Sequence, residues 1–198
     1  MTRVTRAVVL GLTLGCAAPI WTEVRDPQPP PVVRKVAMLE FAGDPAPGGT
    51  LEPDAVKVVE ARVLEALTRD TELEIIPPDK TALVPGADGP KGGESLRATF
   101  GADAVLSGVV RRYVERSGGP SGSSRPSAVW FTLELRTADG ALLWTGTYNE
   151  TQAALSENLG SFGRAWQRGF QWVTAADLAG YGARLLAQAL AEEIALWS

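Results

Sequence analysis

Two hydrophobic periods alternate along the chain from Arg34 onward, one belonging to strands and the other to helices. Residues 34–41 are a mostly apolar run suited to a strand covered on both faces. After a glycine-rich loop at 43–49, Val56, Val59, Val63, Ala66 and Leu67 recur at helical spacing, with Lys57, Arg62, Glu65 and Arg69 elsewhere on the surface. Pro53 and Asp54 stand at its start, where a missing donor costs nothing and an acid meets the positive end of the helix. Residues 73–76 read as a short strand ended by Pro77 and Pro78. A Gly/Pro loop at 85–93 precedes a short helix at 94–100, for which Gly101 is the expected C-cap. Residues 103–110 form the next strand and run out through Arg111, Arg112 and Tyr113.

A Ser/Gly-rich loop at 117–127 leads into the clearest hairpin of the chain. Val129, Phe131, Leu133 and Leu135 alternate with Trp130, Thr132, Glu134 and Arg136, Asp139-Gly140 turns the chain, and residues 142–148 return. Trp130, Trp144 and Tyr148 are placed to cluster on one face of the sheet, as packing rather than as a ligand platform. In 149–173, Leu155, Leu159, Phe162, Trp166 and Phe170 repeat at helical steps, although Gly160, Gly163 and Gly169 lower the helix propensity. Thr174 and Asp177 then form a capping-box pattern that opens a last helix through Leu178, Tyr181, Leu185, Ala189 and Ile194. The pattern predicts an α/β domain over 34–149, a mixed β-sheet flanked by helices, with a C-terminal helical extension over 150–198 packed on it.

The N-terminal part obeys a different logic. Arg3 and Arg6 precede the short apolar core of residues 7–14, and small residues follow at Gly15, Cys16, Ala17 and Ala18, as in an export signal. Gly15-Cys16 resembles the end of the lipobox of bacterial lipoproteins, from which Thr13 and Leu14 depart. The resemblance implies a signal peptide over 1–15, cleavage between Gly15 and Cys16, a diacylglycerol on the Cys16 thiol and acylation of the freed amine. Multiple acyl chains hold a protein stably on a membrane where one chain would release it. Ordinary cleavage after Ala17 or Ala18 and an uncleaved helix over the uncharged run 7–22 remain open; that run is short for a span and interrupted by Pro19. Residues 16–33 then form the acylated N terminus and a spacer, whose prolines at 27 and 29–31 predict an extended connection standing the domain off the membrane.

Composition removes several function classes. The formal net charge of −4, without a basic run, argues against nucleic acid as a partner. There is no histidine and only one cysteine among 198 residues, so neither a Ser-His-Asp nor a Cys-His nucleophile can be assembled, and the usual zinc sets and any disulfide within the chain go the same way. No catalytic residue, metal or cofactor is therefore expected. Carboxylate chemistry is the remaining enzymatic option: Glu150, Glu157 and Asp177 are available, and glycoside hydrolysis needs only two suitably spaced acids. Nothing in the sequence places any two together.

Residues 36–41, the helix after them and 73–77 are followed by the Gly-Ala-Asp segment at 101–103, its strand, and the strand-turn-Trp segment ending at Trp144-Thr145-Gly146. In this order the chain resembles the CsgG/TolB N-terminal-like group, which includes the LpoB-type lipoproteins that activate peptidoglycan synthases. The resemblance implies a TolB N-terminal-like sandwich. It departs from the secretion pores in lacking amphipathic insertions able to build a barrel, since 117–127 is too short and polar. The expectation is a non-enzymatic accessory or assembly factor, lipid-anchored in the cell envelope and facing the periplasm, with the outer membrane favoured because Ala17 follows the cysteine. Its partner would be an envelope protein of unknown identity, docked at Trp166, Arg168, Phe170 and Trp172, since aromatics with arginine are hot-spot chemistry; packing of these aromatics onto the sheet competes with that reading. A homo-oligomeric ring is the alternative.

Overall fold

The structure is a computed structural model that describes residues 20–25, 32–47, 51–52, 54–117, 126–151 and 174–197. Its centre is the expected hairpin. Strand β6 (Ala128–Thr137) and β7 (Leu142–Thr151) pair antiparallel around Asp139-Gly140, with Phe131 opposite Tyr148 and Leu135 opposite Trp144. On the far side of β6 lies β5 (Ala104–Val114), also antiparallel. Next come β2 (Lys35–Met38) and β4 (Glu74–Ile76), both parallel, and β3 (Ala42–Gly43) pairs with the distal part of β5. The sheet is thus mixed and seven-stranded, in the order β1-β7-β6-β5-β2-β4. Among the described residues four helices accompany it: α1 (Ala55–Asp70), α2 (Pro78–Thr81), α3 (Gly92–Phe100) and α4 (Ala175–Leu196). This is the α/β architecture with a C-terminal helix that the pattern predicts.

The first strand was not legible. β1 (Ile20–Val24) lies on β7, with Ile20 opposite Tyr148 and Val24 opposite Trp144. The sequence reading assigns these residues to an acylated tail and spacer outside the domain. Period-two alternation over five residues, beside a longer uncharged run, gives no local signal that separates the two readings. The proline-containing residues therefore follow a strand of the domain and connect β1 to β2. These strands are four positions apart in the sheet, about 19 Å at the usual strand spacing.

One face of the sheet, here called inner, is covered by α1 and α4. Val59, Val63 and Leu67 of α1 and Leu178, Leu186 and Leu190 of α4 meet Leu106, Phe131, Leu133, Leu135, Trp144 and Tyr148 in a continuous core. α4 turns a stripe of small residues to the sheet, Ala179, Gly182, Ala183 and Ala187, and leaves Tyr181 45 % exposed. The helical face expected from Tyr181, Leu185 and Ala189 is thus rotated, because the large side chains at this contact come from the sheet. A Cβ on Gly182 would lie 2.4 Å from the Tyr148 ring, and one on Gly146 2.2 Å from the Trp144 ring. Burial pushes the Tyr148 hydroxyl far above the ordinary phenol range, and its bond to Glu150 adds to this.

On the outer face a smaller core of Ala37, Ile76, Val84, Leu96, Ala102 and Val105 seats the segment from α2 to α3. The short α2 was missed because Pro77 and Pro78 read as a stop; Pro78 instead occupies the first helical turn, where proline is tolerated. Gly101 closes α3 at φ 71°, as expected. Glu60, 7 % exposed, joins the two halves: its carboxylate accepts from the Phe41 N–H at 2.7 Å and from Lys57 Nζ at 3.1 Å. Asp54, at φ 66°, precedes α1 without a side-chain cap, while Pro53 lies outside the described residues.

The α4 capping box is present. Thr174 Oγ1 accepts from the Asp177 N–H at 3.1 Å, and Asp177 Oδ2 accepts from the Thr174 N–H at 3.1 Å and hydroxyl at 2.7 Å. The Thr174 hydroxyl, then its N–H, hold the Asp177 carboxyl below the ordinary aspartate range. Thr174→Ala is expected to cost about 1 kcal/mol in urea unfolding at neutral pH. A depressed folded-state pKa adds stability that is present above the ordinary aspartate value and is lost as pH falls through the folded one. The penalty should therefore shrink below about pH 4; an undiminished penalty at pH 3 would show that Asp177 contributes nothing to the cap.

Candidate interaction surface

Beyond the α2–α3 segment, no described element covers the outer face of β5, β6, β7 and β1. Strand register arranges its side chains in rows. Glu23, Thr145, Glu134 and Ser107 form one row, and Trp21, Thr147, Thr132 and Val109 form the next. Asn149, Trp130 and Arg112 form the third. Trp130 and Arg112 thus stand at one end of the face, and Glu23 and Glu134, paired with Arg25 and Arg136, toward the other.

Short-range contacts hold these side chains in place. Arg112 Nη2 donates to Asn149 Oδ1 at 3.0 Å and to Thr151 Oγ1 at 2.8 Å. Arg111, at the register shift of β5, pairs with Asp44 at 3.0 Å and lies over the Trp130 ring, 5.7 Å from its centroid. The Thr132 and Thr147 hydroxyls are 3.0 Å apart, and Arg136 donates to Glu134 at 2.8 Å. Trp130 is half-buried, and its indole N–H has no hydrogen-bond partner among the described residues. Trp21, on the edge strand, is 58 % exposed. Half-buried threonines beside two tryptophans and several arginines have the composition of a protein contact.

The structure separates the three aromatics that the sequence placed together. Trp144 and Tyr148 are buried on the inner face, whereas Trp130 lies on the outer one. The hairpin turn sets Trp144 and Tyr148 in phase with Leu135 and Phe131, one residue out of step with Trp130, and a one-residue step reverses the face. Other expected site residues lie outside the described residues: Gly15 and Cys16 of the cleavage and lipidation site, Trp166, Arg168, Phe170 and Trp172 of the docking site, and the acid Glu157. Of the remaining acids, Asp177 is engaged in the α4 cap and Glu150 accepts from the Tyr148 hydroxyl at 2.5 Å. Two hollows flank the helices. One of about 170 Å³ between α1 and α4 is lined by Arg62, Arg69 and Arg184 with Glu65 and Asp177. An open groove of about 960 Å³ runs between β4 and the end of α4.

No protein-family model and no curated protein matches the chain. Its fold does match solved structures. A PelC dodecamer from Paraburkholderia phytofirmans superposes with a TM-score of 0.56 at 18 % identity, over 88 % of this chain and 99 % of that one. A second crystal form of that dodecamer gives 0.54 at 21 %, over 87 % and 96 %. A hypothetical protein from Chlamydia trachomatis gives 0.52 at 11 %, over 83 % and 99 %. At these identities the likeness is one of fold. It extends across nearly the whole length of each neighbour.

Among the described residues no helix is long and apolar enough to cross a membrane, and no group of three or more acidic or cysteine side chains is placed to hold a metal ion.

Proposed function

We propose that the protein is a lipoprotein of the cell envelope, acylated on Cys16 and facing the periplasm from the outer membrane. In this reading it is a non-enzymatic assembly or protein-binding factor of an envelope complex. The observation that carries the reading is the outer face, which no described element covers and where Trp130, Arg111 and Arg112 stand together on the sheet. The lipobox-like Gly15-Cys16 and the absence of histidine support it. The docking site read at Trp166, Arg168, Phe170 and Trp172 belongs to the same proposal.

A homo-oligomer is the second reading, favoured by the likeness to PelC, which is described as a dodecamer. A ring needs a heterologous contact between two different surfaces of each copy, and the outer face and the β4 edge are two such surfaces.

The anchor is tested by fractionating cells that express the full chain and its Cys16→Ala variant. The expected result is membrane retention for the first and release to the soluble fraction for the second. A variant that stays with the membranes would refute lipid anchoring. Light scattering of the detergent-solubilised acylated protein tests assembly: a monomer at micromolar concentration counts against the ring. If the outer face docks the partner, Trp130→Ala should abolish its crosslinking in cells without a matching fall in melting temperature.

A further inference from the structure

The place of β1 in the sheet decides how an anchored domain meets its membrane. Three residues separate Cys16 from Ile20, the first residue of β1, so the two are four Cα steps apart. Even fully extended, they reach roughly 14 Å. The proline-containing residues, which would otherwise set the stand-off, come after β1 and before β2. An acyl chain on Cys16 therefore holds the Ile20 end of β1 close to the bilayer.

We infer that the Ile20 end of β1, with Trp21 at its exposed corner, rests in the phospholipid headgroup layer; this inference depends on acylation of Cys16. Three observations agree with that occupant. Trp21 is a large amphipathic side chain, 58 % exposed, and tryptophan is enriched where an apolar ring and a polar N–H meet the membrane–water boundary. β1 runs antiparallel to β7 from Tyr148 to Trp144, so the anchor lies beyond the end of the sheet that carries Asn149, Trp130, Arg112 and Arg111. Both arginines are thereby on the side turned toward lipid phosphates. Among acids near that end, Glu115 and Glu150 are engaged by Tyr113 and Tyr148, and Asp44 is paired with Arg111. With that end of the strands down, the sheet stands upright on the membrane. Its outer face then opens sideways, toward neighbours in the same plane.

The lone cysteine makes the test direct, because acylation of Cys16 leaves the natural chain with no free thiol. Trp21→Cys and Leu83→Cys variants of the full chain each gain one; Leu83, in the α2–α3 segment, is 80 % exposed. Both are labelled with an environment-sensitive fluorophore and reconstituted in vesicles of phosphatidylethanolamine and phosphatidylglycerol with brominated acyl chains. The expected result is a blue-shifted label at position 21, quenched by brominated lipid several-fold more strongly than the label at position 83. Equal, weak quenching at both positions overturns the inference. So does a blue shift at position 21 that brominated lipid leaves unquenched, since a second copy would then be covering the strand. Labelling of the natural protein at Cys16 is a separate failure: it means that the thiol is not acylated and refutes the anchor rather than the seat.

Discussion

Trp144→Ala is expected to lower the unfolding free energy by about 3–5 kcal/mol, and the melting temperature by on the order of 10 °C. Trp144 has no measurable solvent exposure and lies beneath α4 in the main core. Its indole N–H has no hydrogen-bond partner among the described residues, so the loss is one of packing and of the cavity left behind. Trp130, on the other strand of the same hairpin, provides the contrast. It is half-buried on the outer face and held by Arg111, so Trp130→Ala should cost no more than about 1 kcal/mol. Urea unfolding followed by circular dichroism measures both. Equal losses would mean that the two rings share one core, and that the register between Leu135 and Trp144 is wrong.

Two glycines on α4 should respond to the same substitution with opposite signs. Gly182→Ala places a methyl group 2.4 Å from the buried Tyr148 ring, so helix and sheet must separate. Overpacking of this kind costs about 1–3 kcal/mol. A Cβ on Gly180 meets only Arg62, at 3.6 Å, an ordinary contact with a flexible side chain. There the gain in helix propensity prevails, and Gly180→Ala is expected to stabilise by about 0.5–1 kcal/mol. Thermal melts of the two variants decide the matter. A neutral Gly182→Ala would show that α4 does not approach β7 as closely as the geometry requires.

The sheet's long strands and its hairpin were legible because their signals are local. Alternation from Val129 to Leu135 and the Asp139-Gly140 turn identify β6 and β7 without knowledge of their neighbours, and Thr174 with Asp177 marks the start of α4 in the same way. The candidate surface was not legible. Trp130, Arg111 and Arg112 meet only through the register of three strands, and the sequence reading put Trp130 with Trp144. Helix α4 shows the same limit on a smaller scale. Its existence followed from the cap and the apolar spacing, but its buried stripe was set by Tyr148 and Trp144, which fill the contact from the sheet side.

The sequence by itself determined an α/β domain, a C-terminal helix, a lipobox-like cysteine and a chain without the residues for histidine or paired-cysteine chemistry. These follow from composition and from periods read within one element. Tertiary structure decided that residues 20–24 are part of the sheet and that a broad outer face has no cover among the described residues. It also decided that the proline-containing residues lie between two strands of one sheet. The physical reason is that a five-residue strand has little stability of its own. It becomes a strand only when β7, more than a hundred residues further on, supplies the other half of its hydrogen bonds.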